Sequence, residues 1–230
     1  MRRIHLFFVV VMSLLMGGMV QAQNAFFPYK AGTKQLYVHK DSKGKVDSYT
    51  RQTVKEVKGS GGNMLISYVA EVLDKDKKPS NPPTEVPCTV VIKDGVMTLD
   101  MNQMFASMMK DPQMKVEITG VAVELPADMK PGQSLKDANM TMSVDMGIMK
   151  MQTDIQITDG KCLAIEDVSV AAGTFKCHKI TQTVTTTVMR RNVVATTISW
   201  YAPGIGIVKT ESYDDKNKLT GTTELVSIVN

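Results

Sequence analysis

The C-terminal third of the chain is written almost wholly in strand. Residues 163–170, 174–188, 192–201, 206–213 and 219–228 are β-branched and aromatic runs, parted by Ala171-Ala172-Gly173, Arg190-Arg191, Pro203-Gly204 and Asp214-Asp215-Lys216-Asn217. Connections this short join only antiparallel neighbours, so these runs predict five consecutive antiparallel strands. The long run carries Thr181, Thr183, Thr185 and Thr187 on one parity, a β-favouring face that tolerates water.

The same pattern extends toward the N-terminus. Residues 34–41, 46–57 and 64–74 read as strands, the last two joined across Gly59-Ser60-Gly61-Gly62-Asn63. The charged, Pro-rich stretch 74–84 reads as a loop. Residues 86–92 and 96–99 flank Lys93-Asp94-Gly95, an Asp-Gly hairpin turn. Residues 115–125 form another strand, and 126–138 a loop rich in Pro, Gly and Lys.

One segment has a different period. Met101, Met104, Phe105, Met108 and Met109 recur at helical spacing, with Asp100 as N-cap, Gln103 completing a capping box and Asp111-Pro112 ending the run. A short amphipathic helix is expected here, its methionine face plugging one end or one face of a sheet.

Residues 140–151 hold five of the eighteen methionines. Met140, Met142, Val144, Met146 and Ile148 alternate with small or polar residues, the signature of a half-buried strand. The phase then shifts, because Met149, Met151, Ile155 and Ile157 continue on the other parity; a bulge near Gly147 would keep both sets inward. Thioethers also bind Cu(I), which makes Met140, Met142 and Met146 the candidate ligands of a copper carrier. Against that chemistry, Val144 and Ile148 share their face and no histidine lies nearby. Methionine as a soft, adaptable interior accounts for the same residues. Such an interior suits a groove for an apolar molecule, a peptide or a partner protein.

The N-terminus decides the compartment. Arg2 and Arg3 precede an apolar run from Leu6 to Met16, and Val20-Gln21-Ala22 offers a cleavage site. Residues 1–22 are therefore expected to be a secretory leader, with 23–230 a single β-rich domain. The run is too short to span a bilayer and no second one follows, so no transmembrane segment is expected after leader removal. The periplasm is the expected destination, with secretion as the alternative.

The remaining 25 basic and 23 acidic residues give +2, with no interleaving of Arg and aromatics, so nucleic acid is not an expected partner. Three cysteines, Cys88, Cys162 and Cys177, enter an oxidising compartment. Cys162 with Cys177 is the favoured disulfide, because strand, turn and strand bring their ends near each other, although a hairpin centred on 171–173 does not set them directly opposite. Cys88 reads as a buried small hydrophobe.

No catalytic set emerges. His39 and His178 sit beside lysines in strand patterns and read as surface residues, no nucleophile elbow occurs, and Glu166-Asp167 face opposite ways along a strand. A non-enzyme without cofactor is expected, and a hydrolase with an unrecognised site ranks third behind the binding and copper readings. Gly204-Ile205-Gly206 opens a strand rather than a helix and is not a phosphate loop. Trp200 and Tyr201 beside that turn, with Met104 and Met108 of the helix, are the candidate ligand contacts.

Three stretches, FFPYKAGTKQLYVHKDSKGK, IEDVSVAAGTFKCHKI and ISWYAPGIGIVKTESYDDKNKLTGTTEL, together resemble envelope proteins of Bacteroidetes in a domain-of-unknown-function group, TapB-like. The resemblance implies an antiparallel rolled sheet or half-barrel, like a spiral β-roll, with one short helix and no established activity. One departure is Ala171, where the pattern has proline before Ala172-Gly173-Thr174.

Overall fold

In the computed structural model, residues 25–100, 115–145 and 150–230 are described. The leader, the helix expected over 100–110 with Met104 and Met108, and Met146 lie outside them, save for Asp100. Among the described residues thirteen strands follow in chain order: β1 (Lys34–Asp41), β2 (Val46–Ser60), β3 (Asn63–Leu73), β4 (Pro79–Lys93), β5 (Val96–Leu99), β6 (Lys115–Val121), β7 (Leu125–Pro126), β8 (Ala138–Asp145), β9 (Lys150–Val170), β10 (Gly173–Val188), β11 (Arg191–Ala202), β12 (Gly206–Asp214) and β13 (Leu219–Val229). Among the described residues no helix is long and apolar enough to cross a membrane.

All thirteen strands belong to one antiparallel sheet, ordered β6-β8-β9-β10-β11-β12-β13-β1-β2-β3-β4-β5-β7. Neighbours in sequence are mostly neighbours in space, because tight turns leave no other choice. The exceptions are β6 with β8, β5 with β7, and the longest-range one, β1 with β13, from Lys34 opposite Val229 to Asp41 opposite Gly221. That pairing joins the N- and C-terminal halves.

The two edges of the sheet are close in sequence. β6 ends at Val121 and β7 begins at Leu125, so four residue steps, at most about 14 Å of chain, separate them. The sheet must therefore curl until its edges meet. The single strand expected over 115–125 is thus two, placed at opposite edges.

Three further differences have plain causes. The phase change near Ile148 is a chain reversal: β8 pairs antiparallel with β9, Asp145 opposite Lys150, so Met140, Met142 and Val144 share a face with Met151, Thr153 and Ile155. The expected loop 74–84 shrinks to a turn, since β4 begins at Pro79, with 80–83 looping out between the Leu73–Pro79 and Val72–Thr84 pairs; proline, lacking an N–H, is tolerated at such a break. The loop after β7 is not merely exposed, because Met129 and Leu135 are buried.

The expected disulfide does not form, and Cys88, Cys162 and Cys177 are all buried free thiols. Cys162 stands opposite Ile180, whereas Cys177 stands opposite Glu166. Because 177 and 180 differ in parity along β10, the two sulfurs leave opposite faces of the sheet. Cys162 packs with Phe26, Leu125, Met129, Leu135 and Ile180. Cys177 packs with Trp200, Ala202 and Val208.

Candidate functional site

The curled sheet has an inner face, and its parity can be followed from strand to strand. Gln35, Tyr37 and His39 of β1 point inward; their register partners Gln52 and Thr50 of β2, and Leu225 and Thr223 of β13, do likewise. On β10 the inward set is His178, Ile180, Gln182 and Val184, with Tyr201 and Ile157 beside them.

Of these, Tyr37, Gln52, Gln182, Tyr201 and Ile157 line a cavity of about 330 Å³, within the range of small-molecule sites. Its wall takes Tyr37, Tyr68, Tyr201, Met97, Met140 and Ile157, together with Phe26 and Phe27. Gln52, Thr98 and Gln182 supply the polar part. Residues from both margins of the sheet meet there, Met97 and Leu125 from one side and Met140 from the other, with Val123 from the segment that joins the two edges.

The end of the roll near Phe26 is closed by the segment before β1. Ala25 and Phe26 cross the β11–β12 turn, where the Gly204 N–H donates to the Ala25 carbonyl at 2.7 Å. The Phe26 ring, 1 % exposed, meets His178 edge-on at 5.0 Å and Tyr201 at 5.9 Å. Phe27 lies against Tyr68 at 4.8 Å. Gly206 permits this close pass: its φ is +97°, and a Cβ there would lie 3.1 Å from the Phe26 carbonyl oxygen. The first and last of the three recognised stretches therefore build one plug.

A buried polar chain ties the plug to the wall. The Tyr37 hydroxyl donates to Gln35 Oε1 at 3.3 Å, and Gln35 Nε2 donates to the Ile205 carbonyl at 2.8 Å. Burial raises the pKa of Tyr37, Tyr68 and Tyr201, so all three are neutral phenols. Two buried polar atoms on β10, His178 Nδ1 and Gln182 Nε2, have no hydrogen-bond partner among the described residues.

Farther along the inner face the lining becomes hydroxylic. His39 Nδ1 is 3.0 Å from Thr223 Oγ1 and Nε2 is 2.8 Å from Thr50 Oγ1. Burial lowers the pKa of both His39 and His178; at His178 the backbone groups of Met129 and Tyr201 oppose it. Both histidines, expected at the surface, are half-buried and face inward, because their parity matches Tyr37 and Ile180.

The sequence candidates divide between the two faces. Tyr201 is on the cavity wall. Trp200, its neighbour, points the other way: its Nε1–H donates to Glu166 at 2.7 Å, and Lys179 and Lys209 each place Nζ 5.1 Å from its ring. That hydrogen bond, then Lys179, hold the Glu166 carboxyl below the usual range. Met140 lines the cavity; its register partners are Gly120 and Ile155, and those of Met142 are Ile118 and Thr153. No group of three His, Cys, Asp or Glu among the described residues is placed to hold a metal ion.

Sequence reasoning missed Phe26, Tyr37, Tyr68 and Gln182. Phe26 lies outside any strand, although the Phe-Phe-Pro-Tyr cluster beside a leader was a usable sign of docking. The shared parity of Gln35, Tyr37 and His39 was also legible.

A family model described as DUF3108-like matches residues 30–225. Two solved structures share the fold. One, from Bacteroides fragilis NCTC 9343, is described as exported with a YmcC-like fold; it is 21% identical with a TM-score of 0.70, over 91% of this chain and 100% of that one. The other, from Parabacteroides distasonis ATCC 8503, is described as a lipoprotein; it is 22% identical with a TM-score of 0.73, over the same shares, 91% and 100%. No curated protein matches.

Proposed function

The chain belongs to the DUF3108-like family, and from that premise we propose that it is a non-catalytic, exported envelope protein that holds one small amphipathic molecule inside its β-roll. The apolar body of the ligand lies against Tyr37, Tyr68, Met97, Met140 and Ile157, and its polar end meets Gln52, Gln182 and the hydroxyl-lined stretch around His39. The leader pattern of residues 1–22 supports export, as do the exported protein and lipoprotein that share the fold.

The observation that carries the reading is Gln182. It lies on the wall of an apolar cavity with a buried amide nitrogen that has no hydrogen-bond partner among the described residues. An unpaired buried donor costs about 1–3 kcal/mol, and a ligand acceptor removes that cost. The test is uptake of a naphthylamine dye whose emission rises in apolar surroundings. Wild type is expected to bind it saturably and to release it to medium-chain fatty acids. Ile157→Trp, which fills the cavity, is expected to bind neither. Equal uptake by that folded variant would contradict the reading.

A further inference from the structure

Among the described residues, four hairpin turns lie at the end of the roll opposite the Phe26 plug, where β8 also gives way to β9. Since the sheet is antiparallel throughout, the β12–β13, β1–β2, β3–β4 and β10–β11 turns all leave by that end. Three of them are one device, DSKGK, DKDKK and DDKNK. In each, the leading aspartate, Asp41, Asp74 or Asp214, accepts from the backbone N–H groups two and four residues on, at 2.8–3.0 Å. The fourth residue, Gly44, Lys77 or Asn217, takes a positive φ. Those carboxylates turn back onto their own loops, and none of the loop lysines is ion-paired among the described residues.

The β10–β11 turn differs. Met189 and Arg190 both adopt left-handed φ, 48° and 65°, a turn that normally selects Asn-Gly and is costly for bulky side chains. The hairpin also overhangs its β12 neighbour: Ala195 already pairs with Asp214, where that turn begins, so residues 191–194 have no β12 partner, while on its other side β9 accompanies it past Thr153 opposite Val188. At this tip Met189 is 70% and Val193 66% exposed, beside exposed Arg190 and Arg191. With that MRRN turn, the four loops hold nine basic and five acidic side chains, a net charge equal to the +4 of the whole chain.

We propose that this rim is a docking surface for a bilayer rich in anionic phospholipid. Met189 and Val193 enter the interface, while Arg190, Arg191 and the turn lysines meet the phosphates. Apolar residues flanked by cations at a projecting tip fit that partner, because each needs a different depth of the same surface. A purely polyanionic partner leaves the exposed Met189 and Val193 unexplained.

The test is flotation of the mature chain with phosphatidylcholine vesicles containing roughly one-third phosphatidylglycerol, in about 0.1 M salt. Binding is expected to these and not to pure phosphatidylcholine. R190Q/R191Q is expected to weaken it about 30-fold, from a factor of about five per cation. M189S/V193S is expected to weaken it too, and K58Q/K176Q, at the other end of the roll, to leave it unchanged. Unaltered binding by either tip variant, equal weakening by the control pair, equal binding to the neutral vesicles, or retention by heparin without vesicle binding would each overturn the proposal. Dye uptake by the tip variants stays normal in every case, which separates this surface from the cavity.

Discussion

Phe26→Ala tests whether the segment before β1 is part of the fold or an ornament on it. Phe26 is 1 % exposed and packs with Leu125, Met129, Leu135, Cys162 and Ile180. Truncating a buried phenylalanine costs about 3–5 kcal/mol, the spread reflecting how far the site collapses. Two facts set this site within that range. The edge-on contacts with His178 and Tyr201, at about 0.5–1.5 kcal/mol per aromatic pair, push it up. The adjoining cavity means the ring is already incompletely surrounded, which pulls it down. About 4 kcal/mol is expected, or a Tm lowered by about 8–16 °C for a domain of this size. Urea denaturation followed by the single tryptophan measures it, with Phe26→Leu as the milder control. A loss below about 1 kcal/mol would refute the account, since the plug would then be detached in solution and the cavity open at that end.

All three thiols are expected to resist a thiol reagent in the native protein and to react together in urea, because each is buried with its pKa raised, that of Cys177 to about 12; an intact mass short by two hydrogens would contradict this. Gly206→Ala is expected to destabilise by about 1–3 kcal/mol in urea, since it combines a positive φ with a contact to the Phe26 carbonyl. Stability is expected to fall as pH drops below the ordinary histidine value of 6.5, because the unfolded chain then binds protons that His39 and His178, with lowered pKa, decline; a flat profile from pH 7 to 5, or one unchanged in His39→Asn together with His178→Asn, would contradict it. Met142→Leu is expected to cost under about 1.5 kcal/mol in urea, whereas loss of a stoichiometric Cu(I) site on that change would favour the copper reading.

Most strands were legible because period-two alternation and short turns are local. The β1–β13 pairing was not, since strand residues such as Leu36 and Ser227 carry no label of their partners. The reversal between β8 and β9 was misread as a bulge for a related reason: either event moves the apolar set by one residue, and parity alone does not separate them. The expected disulfide failed because the pairing sets the two cysteines several residues apart along β10 as well as on different faces. An extra β9 residue, Leu163, shifts the register between Lys179–Ala164 and Ile180–Cys162, and the sulfurs part to opposite faces. Within the candidate site, Tyr201 and Trp200 stood out together as aromatics beside a turn, but alternation sends one into the cavity and the other under two lysines. The three aspartate turns were present as near-repeats, DSKGK, DKDKK and DDKNK, obscured because only the spacing of Asp and Lys is shared.

The cavity as a ligand site is the central claim, and native mass spectrometry of the mature protein, purified without detergent from its own envelope, tests it most directly. A one-to-one adduct with the mass of a small amphiphile is expected, absent from Ile157→Trp prepared in the same way. A bare chain mass for wild type that stays bare after incubation with extracted envelope lipids would contradict it.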